Sequence, residues 1–326
     1  MANITTFSSS SLDLDPAAET GRIIEKIKFM VLQQFRRQGA IVGISGGIDS
    51  AVVLALCVQA LGPERILGLL LPEKDSQPES EFLAIRLAQK FGVRTQKEDI
   101  TPALEGFGCY KWRDEAVRRI FPDYGPGWAI KIVLPNDLLT QGSLNVFYLV
   151  VNDPGGNEYR KRLPNKEFRQ IMAASNFKQR SRMAMLYYYA ELNNYVVMGT
   201  SNKNEYDLGF FVKYGDGGVD ISTIGHLYKT QVYQLARYLG VPEEIQKRTP
   251  TTDTYPGASS QEEFFFRIPF TILDTIWFGY EHGIPKEEIS KALELEIDQV
   301  NFVIRDIAGK KRTTEYLRST VLRINS

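Results

Sequence analysis

The stretch Ile41-Val42-Gly43-Ile44-Ser45-Gly46-Gly47-Ile48-Asp49-Ser50 decides the fold and frames the chemistry. An apolar strand, AIVGIS over 40–45, runs into a glycine turn and then into a helix that starts near Asp49 and carries AVVLALCVQAL. So apolar a strand fits the middle of a parallel sheet. A strand feeding a glycine turn and a helix N-terminus aims several backbone N–H groups at one point. With the helix dipole this makes an anion site. Ser45 and Ser50 add hydroxyl donors, and Gly46 and Gly47 let the backbone approach a ligand closely. A turn that only caps a helix is the competing reading, but five of the six positions 45–50 are Ser, Gly or Asp. An ordinary ATPase loop places a Lys here to reach the terminal phosphates. This loop has none and offers Asp49, an oxygen ligand suited to Mg²⁺. A carboxylate beside phosphates repels them unless a cation lies between. The loop is therefore expected to hold Mg-pyrophosphate as a unit, so that the α–β bond of a nucleotide breaks and AMP is passed on.

Outward from this loop, residues 16–37 read as an amphipathic helix with Ile23, Ile24, Ile27, Met30, Val31 and Phe35 on one stripe. ILGLLLP (66–72) is a second buried strand, PESEFLAIRLAQKFG (78–92) a helix with a glycine stop, and VRTQKEDI (93–100) a more polar strand. Strands alternating with helices predict an α/β fold, a doubly wound, Rossmann-like parallel sheet with flanking helices. The pattern breaks over 105–165, where aromatics, prolines and glycines gather and 145–163 reads as a β-hairpin around Asp153-Pro154-Gly155-Gly156. A long helix follows from 166, then a buried strand YVVMGT (195–200), a Gly-rich loop (209–218) and a helix TQVYQLARYLG (230–240). Residues 261–326 are expected to be mostly helical, with PKEEISKALE and EIDQVNFVIRDI as amphipathic segments. No linker divides the chain, so one domain over 1–326 is expected, and the Ser/Thr-rich residues 1–14 are expected to fray.

The 326 residues carry a formal net charge of zero, which gives no reason to expect nucleic acid or a membrane as a partner. Cys57 and Cys109 are the only cysteines, and the first twenty residues lack the basic and apolar runs of a secretory signal. A reduced, cytoplasmic protein is expected.

Ser45-Gly46-Gly47-Ile48-Asp49-Ser50 resembles the SGGxDS loop of the N-type ATP pyrophosphatases, whose fold is adenine nucleotide alpha hydrolase-like. A second stretch chooses among them. Gly199-Thr200-Ser201-Asn202-Lys203-Asn204-Glu205, followed by Leu208-Gly209-Phe210-Phe211-Val212-Lys213-Tyr214-Gly215-Asp216-Gly217-Gly218-Val219-Asp220, resembles the signature of the NAD synthetase family. Asn176-Phe177-Lys178-Gln179-Arg180, Leu227-Tyr228-Lys229-Thr230-Gln231-Val232, Pro250-Thr251 and the adenine-side loop LPEKDSQPES (71–80) match further elements in order.

The resemblance implies an ammonia-dependent NAD synthetase activity. Deamido-NAD attacks the α-phosphorus of ATP, an acyl-adenylate forms, and ammonia converts it to NAD and AMP. It implies that Gly43, Ile44, Ser45, Gly46, Gly47, Ile48, Asp49, Ser50, Thr200, Lys229 and Thr251 bind ATP and that Asp49 and Glu205 hold Mg²⁺. Arg180, Lys213 and Asp220 hold deamido-NAD, Lys213 joins Asp49 and Glu205 in catalysis, and Asp216 is left undecided. The family's homodimer places the dinucleotide across its interface, for which the helix AMLYYYAELNNY (184–195) is a candidate.

Two features depart from the pattern. Residues 108–165 hold an insertion, read as a surface elaboration or as a lid. Lys310-Lys311-Arg312 lacks the His that often precedes it in the family. No glutaminase segment is evident, so free ammonia, or ammonia from a separate glutaminase subunit, is the expected nitrogen donor. A paralogue that amidates another carboxylic acid and a nucleotide-binding sensor without turnover are the rival readings.

Overall fold

The computed structural model describes residues 7–134, 138–139, 146–250 and 260–324. The strands are β1 (Gly39–Gly43), β2 (Ile66–Leu70), β3 (Arg94–Lys97), β4 (Ala129–Val133), β5 (Tyr148–Asn152), β6 (Glu158–Arg162), β7 (Tyr195–Gly199) and β8 (Ile221–Ser222). The helices are α1 (Pro16–Lys28), α2 (Ile48–Leu61), α3 (Pro78–Phe91), α4 (Thr101–Phe107), α5 (Cys109–Arg118), α6 (Asn165–Asn193), α7 (Lys203–Leu208), α8 (Lys229–Tyr238), α9 (Glu243–Lys247), α10 (Phe270–Glu281), α11 (Lys286–Leu293), α12 (Ile297–Thr313) and α13 (Glu315–Arg318).

The main sheet is parallel, in the order β3-β2-β1-β7-β8. Its period-2 alternation supplies two cores. Ala40, Val42, Ile66 and Leu70 face α1, α2, α3 and α8, while Ile41, Leu67, Leu69 and Val197 face the C-terminal half of α6. With both faces covered, the expected doubly wound α/β sheet is present. The chain steps outward from β1 to β3, then returns to β1's other side with β7. The strand order therefore reverses between β1 and β7, where ligands of open α/β sheets gather.

Several elements differ from the sequence reading. The first helix changes to a π-helical turn over Phe29–Gln34. This shifts the residues per turn, so Phe35 leaves the stripe and is 40% exposed, while Ile23, Ile27 and Val31 stay buried. Residues 7–14 do not fray: Phe7 and Leu12 are buried in the C-terminal helical core, and the Leu14 backbone N–H donates to Gln234 Oε1 at 3.0 Å. The third strand covers only Arg94–Lys97, because Asp99 turns the chain by accepting from the Thr101 N–H that opens α4.

The hairpin at 145–163 forms as β5 and β6, with Asp153 Oδ1 accepting from the Asn157 N–H in the turn. It gains a third strand, β4, which the sequence reading missed. The inner face of this antiparallel sheet, Ile130, Ile132, Leu149 and Val151, packs with Phe121, Ile171 and Phe264. The helical C-terminal part packs α10, α11 and α12 around Trp277 and Ile289.

Candidate active site

A cleft of about 720 Å³ opens at the C-terminal ends of β1 and β7. Its floor is the loop between β1 and α2. Gly46 there has φ +73°, and a Cβ would lie 2.4 Å from the Ser80 carbonyl oxygen, so the turn requires glycine twice over. The Ser45 N–H donates to Ser50 Oγ at 3.3 Å, the Gly47 N–H to Ser45 Oγ at 3.2 Å, and the Ser50 hydroxyl to the Gly47 carbonyl at 3.0 Å. These hydroxyls shape the loop.

Asp49 sits in the first turn of α2, with its carboxylate held on both sides. Oδ1 accepts from Asn202 Nδ2 at 2.9 Å and Oδ2 from Lys229 Nζ at 2.5 Å. Glu205 arrives from α7, whose start is built by a reciprocal cap. The Glu205 N–H donates to Asn202 Oδ1 at 3.1 Å, and the Asn202 N–H donates to Glu205 Oε2 at 3.2 Å. Gln261 Nε2 donates to Glu205 Oε1 at 3.0 Å. Asn202 thus braces both carboxyl groups. Burial, and then the Asp49 charge, push the Glu205 carboxyl up to about 8, against the pull of Lys229. Burial works against the Lys229 ammonium, but Asp49 and Glu205 more than offset it and raise its pKa. Lys229 is wholly buried and backs Asp49. Its backbone is fixed by Asn204 Oδ1, and Asn204 is held in turn by Asp274.

Two half-buried carboxyls beside one ammonium leave room in the charge balance for a cation. Mg²⁺ binds through one or two carboxylates and completes its shell with phosphate oxygens and water. Asp49 and Glu205 fit as the protein's share of such a shell.

Gly43, Ile44, Ser45, Gly47, Ile48, Asp49, Ser50, Thr200 and Glu205 all line the cleft. Thr251 lies outside the described residues. On the opposite side, Arg180 and Lys213 also line it and meet each other, Arg180 Nε donating to the Lys213 carbonyl at 3.3 Å. The Lys213 ammonium bonds the Tyr316 and Ser319 carbonyls at 2.9 Å each, so the C-terminal turn places it. Asp216 lines the cleft, and burial pushes its carboxyl up to about 6. Asp220 does not line the cleft. It is exposed and accepts from the Tyr187 hydroxyl at 3.0 Å and the Val197 N–H at 2.8 Å.

Sequence reasoning missed four contributors. Asn202 was legible as a cap, since Asn followed three residues later by Glu opens many helices. Gln261 and Arg248 come from distant segments, and no local signal marks them. Lys178 stood inside a quoted motif, yet it is buried beneath the 71–80 stretch, bonded to Glu73 at 2.9 Å and Asp75 at 2.5 Å. Met172, Phe210, Phe264 and Phe265 form an aromatic-rich wall, packed from behind by the β4-β5-β6 sheet.

The family model for NAD synthase matches residues 21–119 and 154–319, passing over the segment that contains β4 and β5. The chain belongs to the NAD synthase family. It is 47% identical over 315 residues to the NH(3)-dependent NAD(+) synthetase of Rhizobium meliloti, a match that covers 97% of this chain and 94% of that one. Two solved structures share the family's fold with it at 22% identity and a TM-score of 0.61. They are an NH3-dependent NAD synthetase from Campylobacter jejuni, matched over 95% of this chain and 100% of that one, and an NMN synthetase from Francisella tularensis, matched over 96% and 100%. Among the described residues no helix is long and apolar enough to cross a membrane.

Proposed function

We propose that this chain is an ammonia-dependent NAD synthetase, which joins ammonia to the nicotinate carboxylate of deamido-NAD at the expense of ATP. The observation that carries the reading is the identity of 47% over 97% of the chain to a relative of that activity. The geometry supports it, because the loop and both acidic residues that adenylation needs converge on one cleft.

The loop between β1 and α2 and the N-terminus of α2 bind the phosphates. Asp49 and Glu205 hold Mg²⁺, which supplies neutralising charge to the pyrophosphate oxygens when bound. Lys229 orients Asp49 by donating to its Oδ2. Thr200, at the end of β7, meets the adenylate, and Thr251 joins the phosphate contacts. Arg180, Lys213 and Asp220 hold deamido-NAD. Two copies pack along α6, where Tyr188 and Leu192 are exposed, and this brings the outward-facing Asp220 toward a dinucleotide lying between the copies. Ammonia arrives free or from a separate glutaminase subunit, and the enzyme works in the cytoplasm. No side-chain nucleophile takes part, so catalysis consists of positioning and charge neutralisation.

The test is to supply ATP, Mg²⁺, ammonium and deamido-NAD and to follow NAD through a coupled dehydrogenase. NAD, AMP and pyrophosphate should appear in equal amounts. AMP formation with a different acid but not with deamido-NAD would identify a paralogue. No AMP with any acid would identify a sensor.

A further inference from the structure

We propose that the C-terminal turn from Thr314 to Ser319 is a working part of the cleft. It sets where the Lys213 ammonium stands, and Arg318 is the positioning residue that holds the turn in place. The proposal rests on the reading above, in which Lys213 holds deamido-NAD. Lys213 belongs to the glycine-rich loop that leaves α7, and a long lysine side chain needs fixed acceptors to keep its charge at one point. The turn supplies them. The ammonium donates to the Tyr316 and Ser319 carbonyls at 2.9 Å each and to Ser319 Oγ at 3.0 Å, and it stands 4.4 Å from the centre of the Tyr316 ring. All three acceptors are neutral. A phosphate or carboxylate oxygen, whose bond to an ammonium is roughly twice as strong, can therefore take one of the three places. The Ser319 hydroxyl is the one to yield, because it keeps the Tyr316 carbonyl as its own acceptor at 2.7 Å. The two carbonyls remain and aim the ammonium. Leu317, between them in sequence, lines the cleft as Lys213 does.

The turn is fastened to the end of α7. Gly209 closes that helix with φ +78°, and a Cβ there would fall 2.3 Å from Thr314 Cβ, so glycine is what lets the turn approach so closely. A helix leaves its last carbonyls without partners inside the helix. Arg318 Nη1 donates to two of them, Asp207 at 2.8 Å and Tyr206 at 3.3 Å, and to Thr314 Oγ1 at 3.0 Å. Its Nη2 donates to the Lys311 carbonyl at 2.6 Å. One guanidinium thus joins the end of α12, the turn and α7. These acceptors are backbone carbonyls and a hydroxyl, so the Arg318 charge goes into bracing the chain. Glu205, earlier on α7, has braces of its own in Asn202 and Gln261. Loss of Arg318 therefore frees the Lys213 side of the cleft and spares the metal side.

The test uses the full chain with Lys213→Met, Arg318→Met, Arg318→Lys and the double variant Lys213→Met with Arg318→Met. Arg318→Met should raise KM for deamido-NAD about tenfold and leave KM for ATP and the Mg²⁺ requirement unchanged. Lys213→Met should raise it at least as much. Arg318→Lys, which can still donate to the Asp207 carbonyl, should recover part of the loss. In the Lys213→Met background, Arg318→Met should add nothing further, because the two residues act through one contact.

Additive losses in the double variant would overturn the role of the turn and leave Lys213 in its place. So would an unaltered KM for deamido-NAD in Arg318→Met beside a raised one in Lys213→Met. An unaltered KM in Lys213→Met would overturn the placing of Lys213 and this inference with it, while NAD formation by the wild-type protein still upheld the activity. No NAD from the wild-type protein would overturn all three. Should Arg318→Met fail to fold, Arg318→Lys decides. A raised KM for deamido-NAD with an unchanged thermal midpoint would uphold the positioning role, and an unchanged KM with a lower midpoint would mean that Arg318 only stabilises the fold.

Discussion

Two charge clusters border the same cleft and differ in how their acids are paired. Beneath the 71–80 stretch, Glu73 and Asp75 face Lys178 and Arg113, and the Tyr110 hydroxyl donates to Glu73 Oε2 at 2.7 Å. Asp114 also pairs with Arg113, at 2.8 Å, so each charged group of this cluster has an ion-pair partner. At the ends of β1 and β7, Lys229 pairs with Asp49, while Glu205 has no ion pair of its own among the described residues. The first cluster is complete in the free protein and locks α5 and α6 to the rim of the cleft. In the second, burial raises the carboxyl of the unpaired Glu205. A carboxyl without an ion pair marks where a cation belongs; a fully paired cluster marks where the scaffold is fastened.

The contrast breaks most directly by substitution. Asp49→Asn or Glu205→Gln should lower AMP formation by about 10²- to 10³-fold, while denaturant unfolding stays cooperative. Near-normal turnover in either variant would remove the metal site from Asp49 and Glu205. Lys178→Met should do the reverse. It strands Glu73 and Asp75 with one cation in a buried place, which costs about 3–5 kcal/mol of stability in urea unfolding. The fraction that remains folded should turn over with unchanged KM for ATP. A Lys178 variant of normal stability but altered KM would move Lys178 from the scaffold to the site.

The smallest effect is in proton linkage. The Glu205 carboxyl is pushed up to about 8 by burial and the Asp49 charge, above its ordinary 4.5. A raised folded value means that the group's contribution to stability is full below 4.5 and is lost as pH rises through about 8. Metal-free protein should therefore lose thermal stability across that interval, and Glu205→Gln should flatten the slope. Because a metal binds the ionised carboxylate, Mg²⁺ titrated in at about pH 7 should release nearly one proton, and none in Glu205→Gln. Equal proton release in both proteins would contradict the assignment.

Much of this was legible in the residues. The strand at 40–45 and the helix after it are so apolar that only a central position in a covered sheet suits them, and that position fixed the cleft. Glu205 and Thr200 could be placed because they follow a buried strand. The expectation for Phe35 failed because periodicity assumes a regular helix and Phe29–Gln34 is π-helical. Strand β4 escaped notice because Ala129–Val133 is short and lies in an aromatic, glycine-rich stretch, although its alternating burial was written in AIKIV. A local pattern shows the Lys229 cation but not that Asp49, 180 residues earlier, pairs with it. Arg248 and Gln261 touch the loop and Glu205 only through the tertiary fold.

The central claim is that adenylate, rather than the terminal phosphoryl group, passes to the acid. It is tested most directly by running the reaction with deamido-NAD whose carboxylate carries ¹⁸O and weighing the products. One labelled oxygen in AMP and none in pyrophosphate is the predicted result. Label in orthophosphate, with ADP as its companion, would contradict it.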